Sequence, residues 1–309
     1  METVRVLGEP GRAPGQLMYP RGIAAARGQL WVVDKGARVQ RIDPATGRGE
    51  RLFETPKHDN GKPTGLMLAP MPGEAGRLGL YVADTHEHRV LIYDVESGSD
   101  EPALAFGSFG TEGGQFTYPT DIAVLTDASG RVERVYVSEY GGNDRVSVFS
   151  PELEFLFAFG TFGVAHEEDN AEHRVVFDRP QSIAIDPAAR ELIVADACNH
   201  RVGRFTLEGE HLAWFGGGAS DLFRYPYGLE LLDGRMALIT EFGGNRVSVL
   251  DLASGEVVRR LGEPGREAGQ LASPWGAVVI GDEAFVLDSG NNRIQVVRLG
   301  GGLLAGGGR

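Results

Sequence analysis

Six acids recur along the chain, each followed four to six positions later by an arginine: Asp34 and Arg38, Asp84 and Arg89, Glu139 and Arg145, Asp196 and Arg201, Glu241 and Arg246, Asp288 and Arg293. Such a pair can lock a turn through a charge-assisted hydrogen bond, or leave its carboxylate free for metal or proton chemistry. Sixfold repetition argues for the turn lock. Two copies depart from the Asp form, as Glu139-Tyr140-Gly141-Gly142 and Glu241-Phe242-Gly243-Gly244. A longer acid, an aromatic and two glycines are expected to widen the turn there and to offer a ligand both a carboxylate and a ring.

The other groups capable of chemistry are seven histidines and one cysteine. His86 and His88 flank Glu87, but alternate residues of a turn point apart, which disfavours chelation. His166 and His173 bracket HEEDNAEH, where two histidines and four acids could hold a divalent cation or simply form a solvated acidic loop. His200 belongs to an Asn-His-Arg turn, and His58 and His211 have no partner in the pattern. Cys198 follows the recurring Asp196 and reads as a neutral thiol, because a reactive thiolate needs an electropositive setting. One cysteine excludes an intramolecular disulfide. The sequence contains no G-x-S-x-G elbow, P-loop or EF-hand loop.

The elements that hold these groups repeat with them. Each acid lies downstream of a proline (Pro20, Pro63, Pro119, Pro180, Pro226, Pro274), and successive arginines of the pairs are 45 to 56 positions apart, the period of a propeller blade or large solenoid unit. Each repeat breaks into short Val- and Ile-rich runs bounded by turn residues, as in GAVVI, EAFVL and RIQVV of the last copy, and these read as strands. The predicted fold is all-β: a six-bladed β-propeller with four antiparallel strands per blade. Gly8 to Arg12 and Gly15 to Leu17 recur as Gly262 to Arg266 and Gly269 to Leu271, a segment that normally follows a fourth strand. Thr3 to Leu7 is therefore an outer strand without its inner three, and the last repeat lacks one. The N-terminal strand is expected to complete the sixth blade and remove two open edges. One propeller domain over 1–300 and a frayed Gly-rich tail over 301–309 follow.

VADACNHRV (194–202), LDSGNNRIQV (287–296), the Tyr-Pro or Arg-Pro before several inner strands, and the linkers FGSFGTEGGQFTYP and LGEPGREAGQL resemble the NHL repeat, in phase over nearly the whole chain. The family spans enzymes, RNA binders, sensors and scaffolds, so the resemblance implies the fold and not the function. Peptide-amidating lyases of similar fold hold zinc with histidines just after the inner-strand proline. Those positions here are Arg21, Thr64, Thr120, Gln181, Tyr227 and Trp275, so the resemblance implies no such zinc site. The more distant calcium-dependent lactonase motifs are also missing.

Composition narrows the function further. A net charge of -13 opposes binding to nucleic-acid phosphates. No apolar stretch has membrane-spanning length, and no signal-peptide pattern opens the sequence, which leaves the compartment undetermined. Of 30 basic residues all but Lys35, Lys57 and Lys62 are arginine.

In a propeller the loop before the inner strand and the loop between strands two and three share one axial face. That face should carry Arg21, Thr64, Thr120, Gln181, Tyr227 and Trp275, with Asp121 and Ser182 beside them and Glu139, Tyr140, Glu241 and Phe242 close by. The expected function is non-enzymatic recognition: a monomeric propeller binding a protein or small polar ligand at this mouth, with Trp275 as either anchor or channel plug. No cofactor or resident metal is expected. The alternative is a calcium-type, metal-dependent lyase or hydrolase with its site in the same channel.

Overall fold

The computed structural model describes residues 2–57, 62–165, 174–233 and 235–300. Six four-stranded antiparallel sheets succeed one another around a central channel. In blade four the strands are Pro180–Asp186, Glu191–Asp196, Arg201–Thr206 and His211–Gly216, running outward from the axis in chain order. The strand runs form sheets rather than helices because apolar residues alternate with period two and glycine- or asparagine-containing turns interrupt them.

Blade six closes the ring as the sequence implies. Its inner three strands, Ala277–Ile280, Glu283–Asp288 and Arg293–Arg298, are joined by Glu2–Leu7, which pairs antiparallel to the last of them with Leu7 opposite Ile294. Arg5 adds a forked ion pair to Glu283 at 2.8 Å on both arms.

Each blade buries its faces against its neighbours. Between blades two and three lie Tyr81, Ile92, Ile122 and Val135, and between blades six and one lie Ile23, Val32, Phe285 and Val296. Four further clusters fill the other interfaces, so the core is a ring of six slabs. This is why no single blade could fold alone.

The recurring acid locks each turn. All six acids are fully buried, and each accepts from its own arginine: Asp34 from Arg38, and the other five at 2.7 to 2.9 Å. The same guanidinium reaches back to linker carbonyls, as Arg145 does to Thr111, Glu112 and Gln115 and Arg201 does to Val176. A buried carboxylate that also accepts a backbone N–H, as Asp196 does from Asp178 at 2.8 Å, is fully engaged in structure.

The residue before four of these arginines braces the next blade. Asp144, Asn245 and Asn292 accept the N–H of Arg179, Ser273 and Tyr19 at 2.6 to 2.8 Å, and the His200 Nδ1 accepts that of Tyr225 at 3.1 Å. Each of those four N–H groups belongs to the residue just before the inner-strand proline, and each of those residues has positive φ, from 48° to 63°. Bulky side chains rarely adopt that backbone, and here it turns Tyr19 and Arg179 toward the axis of the propeller.

Candidate functional site

The inner strands line one channel with a cavity of about 230 Å³. Arg21, Thr64, Thr120, Gln181, Tyr227 and Trp275, the residues that follow each proline, form a layer of its wall. They do not all face inward for a ligand. Thr64 Oγ1 donates to Thr120 O at 2.8 Å, and Thr120 Oγ1 lies 2.9 Å from Pro180 O, so these two hydroxyls tie blades two to three and three to four. Glycine occupies the next layer where the strands crowd: a Cβ on Gly65 would come within 2.4 Å of Thr120 O.

Glu139 and Glu241 require a correction. Neither offers a carboxylate at the mouth. Both are fully buried. Glu139 accepts from Thr117 N at 2.6 Å and Arg145 Nε at 2.8 Å, and Glu241 from Arg224 N and Arg246 Nε, each at 2.8 Å. The extra methylene of Glu is absorbed in reaching the same partners that Asp meets elsewhere.

The aromatics do assemble. Trp275 meets Tyr227 edge to face at 5.0 Å and Phe242 at 5.7 Å, with Tyr19 on a further side at 6.0 Å. Tyr227 and Phe242 stack at 4.4 Å. Trp275 and Tyr227 are each only 7% exposed, so their rings build the wall of the mouth more than they project from it.

Two arginines rest on these rings. The Arg21 guanidinium lies 4.9 Å from the Trp275 centroid, and that of Arg179 lies 4.4 Å from Tyr140 and 5.3 Å from Tyr227. Arg179 also donates from Nε to Gln181 at 2.9 Å. Among the described residues, every other arginine that is buried or half-buried forms an ion pair with a carboxylate. Arg21 and Arg179 have none. Burial pushes the Arg21 guanidinium below its ordinary value, Arg179 adds to that, and its Nε is buried without a hydrogen-bond partner. Tyrosines take the place of acids around it.

Deeper in the channel are two carboxylates. Asp121 Oδ2 accepts from Ser182 Oγ at 2.6 Å and Ile183 N at 3.1 Å, across the blade three to four boundary. Glu230 Oε1 accepts from Val279 N at 3.2 Å, across the blade five to six boundary. Burial pushes Asp121 up to about 6 and Glu230 up to about 7, and the charge of Asp121 adds to the rise at Glu230.

The remaining chemistry-bearing groups are occupied elsewhere. His88 is held by Thr117 O and His86 packs on Tyr118 at 5.3 Å, while burial, Lys62 and Arg21 hold His86 below the ordinary histidine range. Burial, with Asp178 next, pushes the Cys198 thiol up to about 11, which favours the neutral thiol. No group of three His, Cys, Asp or Glu converges as metal ligands among the described residues. His58, the 166–173 segment and the 301–309 tail lie outside the described residues.

Arg179, Tyr19 and Glu230 were not singled out from the sequence. The first two are pre-proline residues, a position that varies among Tyr, Lys, Arg and Ser around the ring. Glu230 occupies a place that reads Ala24, Met67, Ala123, Ala184 and Val278 in the other copies, so an acid at an apolar repeat position was the available signal.

The repeat has a named counterpart. The NHL repeat family model matches residues 177–205, within the linker and inner three strands of blade four. The chain is a six-bladed β-propeller that carries an NHL repeat in its fourth blade. Searched against curated proteins by sequence, it has no match. By structure this NHL propeller is similar to a Bacteroides thetaiotaomicron protein of unknown function (16% identity, TM-score 0.65, covering 96% of this chain and 73% of that one). It is also similar to a streptogramin B lyase (13%, 0.59, 93% and 95%) and to the hydrazine synthase of Kuenenia stuttgartiensis (14%, 0.59, 93% and 97%). At these identities the likeness is one of fold. No helix among the described residues is long and apolar enough to cross a membrane.

Proposed function

We propose that this NHL propeller is a non-enzymatic recognition module that takes an anionic group, above all a carboxylate, at the axial mouth formed by Arg21, Arg179, Tyr140, Tyr227 and Trp275. The observation that carries the reading is the pair of half-buried arginines without carboxylate partners, in a chain of net charge -13 that neutralises every comparable arginine. A buried cation without a counterion is costly, and a ligand carboxylate accepted by either guanidinium recovers that cost. The rings supply flat apolar walls and hold the guanidiniums in place. A small ligand entering the cavity, or an acidic side chain of a protein partner, meets the same chemistry. The sequence pointed to a protein or small polar ligand at an aromatic mouth; with Glu139 and Glu241 buried in their turns, the charge of that mouth favours an anion.

Calorimetric titration with acetate, butyrate and sulfate tests this. Butyrate should bind the wild type and lose at least tenfold in affinity in Arg21→Gln and in Arg179→Gln. Equal affinities in all three proteins would refute the site. The metal-dependent lyase or hydrolase reading would draw on Asp121 and Glu230, and calcium chloride in the same titration addresses it: a stoichiometric calcium heat lost in Glu230→Gln would favour that reading.

A further inference from the structure

We infer that the channel takes a zwitterion, with the ligand carboxylate at Arg21 and Arg179 and a ligand ammonium at Asp121 and Glu230, the class being a small ω-amino acid. This rests on the proposed anion-binding mouth and extends it inward.

Both carboxylates stand where the repeat does not call for one. The place of Asp121 reads Gly22, Gly65, Ser182, Gly228 and Gly276 in the other blades, and that of Glu230 is apolar in all five. Among the described residues neither acid has an arginine or lysine hydrogen-bonded to it, unlike the six turn acids. Asp121 spends its oxygens on Ser182 Oγ and the N–H groups of Ile122 and Ile183, and Glu230 spends one on Val279 N. Among the described residues the second oxygen of Glu230 has no donor, and Glu230 lines the same cavity as Arg21. One cavity thus has Arg21 without an anion in its wall, with Arg179 close enough to Arg21 to lower its pKa, and Asp121 and Glu230 without cations further in.

The dimensions set the ligand's size. Glu230 lies three residues along its strand from the layer that holds Arg21, about 10 Å at a strand rise of about 3.3 Å per residue, and both side chains shorten that span. The cavity of about 230 Å³ has room for a small organic molecule rather than for a single water. A chain of four to six carbons carrying an amine and a carboxylate fits both limits. Ile23, Leu66, Ile122 and Leu229 border the cavity between the charged ends while burying most of their surface between the blades, so the methylenes meet the edge of an apolar wall.

The test is a calorimetric series at pH 8 with 4-aminobutyrate, 5-aminopentanoate and 6-aminohexanoate, each against the carboxylate of equal length and the n-alkylamine. At least one ω-amino acid should bind tenfold or more tighter than both matched compounds. Glu230→Gln, which keeps the shape and the acceptor for Val279 N, should erase that advantage without weakening the binding of the plain carboxylate. Arg21→Gln should weaken the amino acid and the carboxylate alike. If the amine adds nothing in the wild type, or its advantage survives in Glu230→Gln, the zwitterion assignment is overturned while butyrate binding still upholds the mouth. If butyrate fails as well, both fall.

Discussion

Replacing Glu230 by glutamine should stabilise the propeller at pH 8 and leave it nearly unchanged at pH 5. In the folded chain Glu230 titrates at about 7, against an ordinary 4.5, because burial and the neighbouring Asp121 charge disfavour its carboxylate. The native state therefore binds this proton more tightly than the unfolded chain, and the stability it brings is complete below about pH 4.5 and lost as the pH rises through 7. A shift of this size is worth at most about 3.5 kcal/mol at about 1.4 kcal/mol per unit. Water in the channel lowers the expected gain to about 1 to 3 kcal/mol at pH 8. Glutamine keeps an acceptor for Val279 N, so the hydrogen bond between blades five and six survives. Urea unfolding from pH 4.5 to 8.5 would read the effect: the wild type should lose stability across pH 5 to 8, and the variant should lose less. Asp121 and Asp196, each held at about 6, contribute to the slope that remains. Parallel curves for the two proteins would refute the burial of this charge.

Three further outcomes follow from the packing. Trp275→Ala should cost about 3 to 5 kcal/mol in thermal or urea unfolding, since the ring is 7% exposed among Tyr19, Tyr227 and Phe242; a loss below about 1 kcal/mol would mean that it stands free at the mouth. Arg201→Ala should cost about 3 to 5 kcal/mol because it strands the fully buried Asp196, and a neutral effect by the same measurement would deny the turn lock. Deleting residues 1–8 should unpair the Arg293–Arg298 strand, lower the melting temperature and promote aggregation, whereas an unchanged melt would exclude closure by the N-terminal strand.

The architecture was legible in the sequence because its signals repeat: the proline, the acid and the arginine return in register in all six copies, and the unpaired strands at the two ends imply each other. The turn locks followed from the same repetition. The mouth was less legible because side-chain direction is not a property of spacing. Thr64 and Thr120 share a register with Arg21 and Trp275, yet their short hydroxyls reach only the neighbouring blade, while the longer side chains reach the channel. Glu139 and Glu241 looked like departures from the repeat but reach the same partners as its aspartates. Arg179 escaped notice because its approach to the axis depends on a positive φ of 63°, which no residue pattern announces.

The most direct measurement of the central claim is anomalous diffraction from crystals grown in bromide. The account predicts a bromide peak between the Arg21 and Arg179 guanidiniums, absent from crystals of the Arg21→Gln, Arg179→Gln double variant. A mouth without bromide in wild-type crystals, or a peak that persists in the double variant, would contradict it.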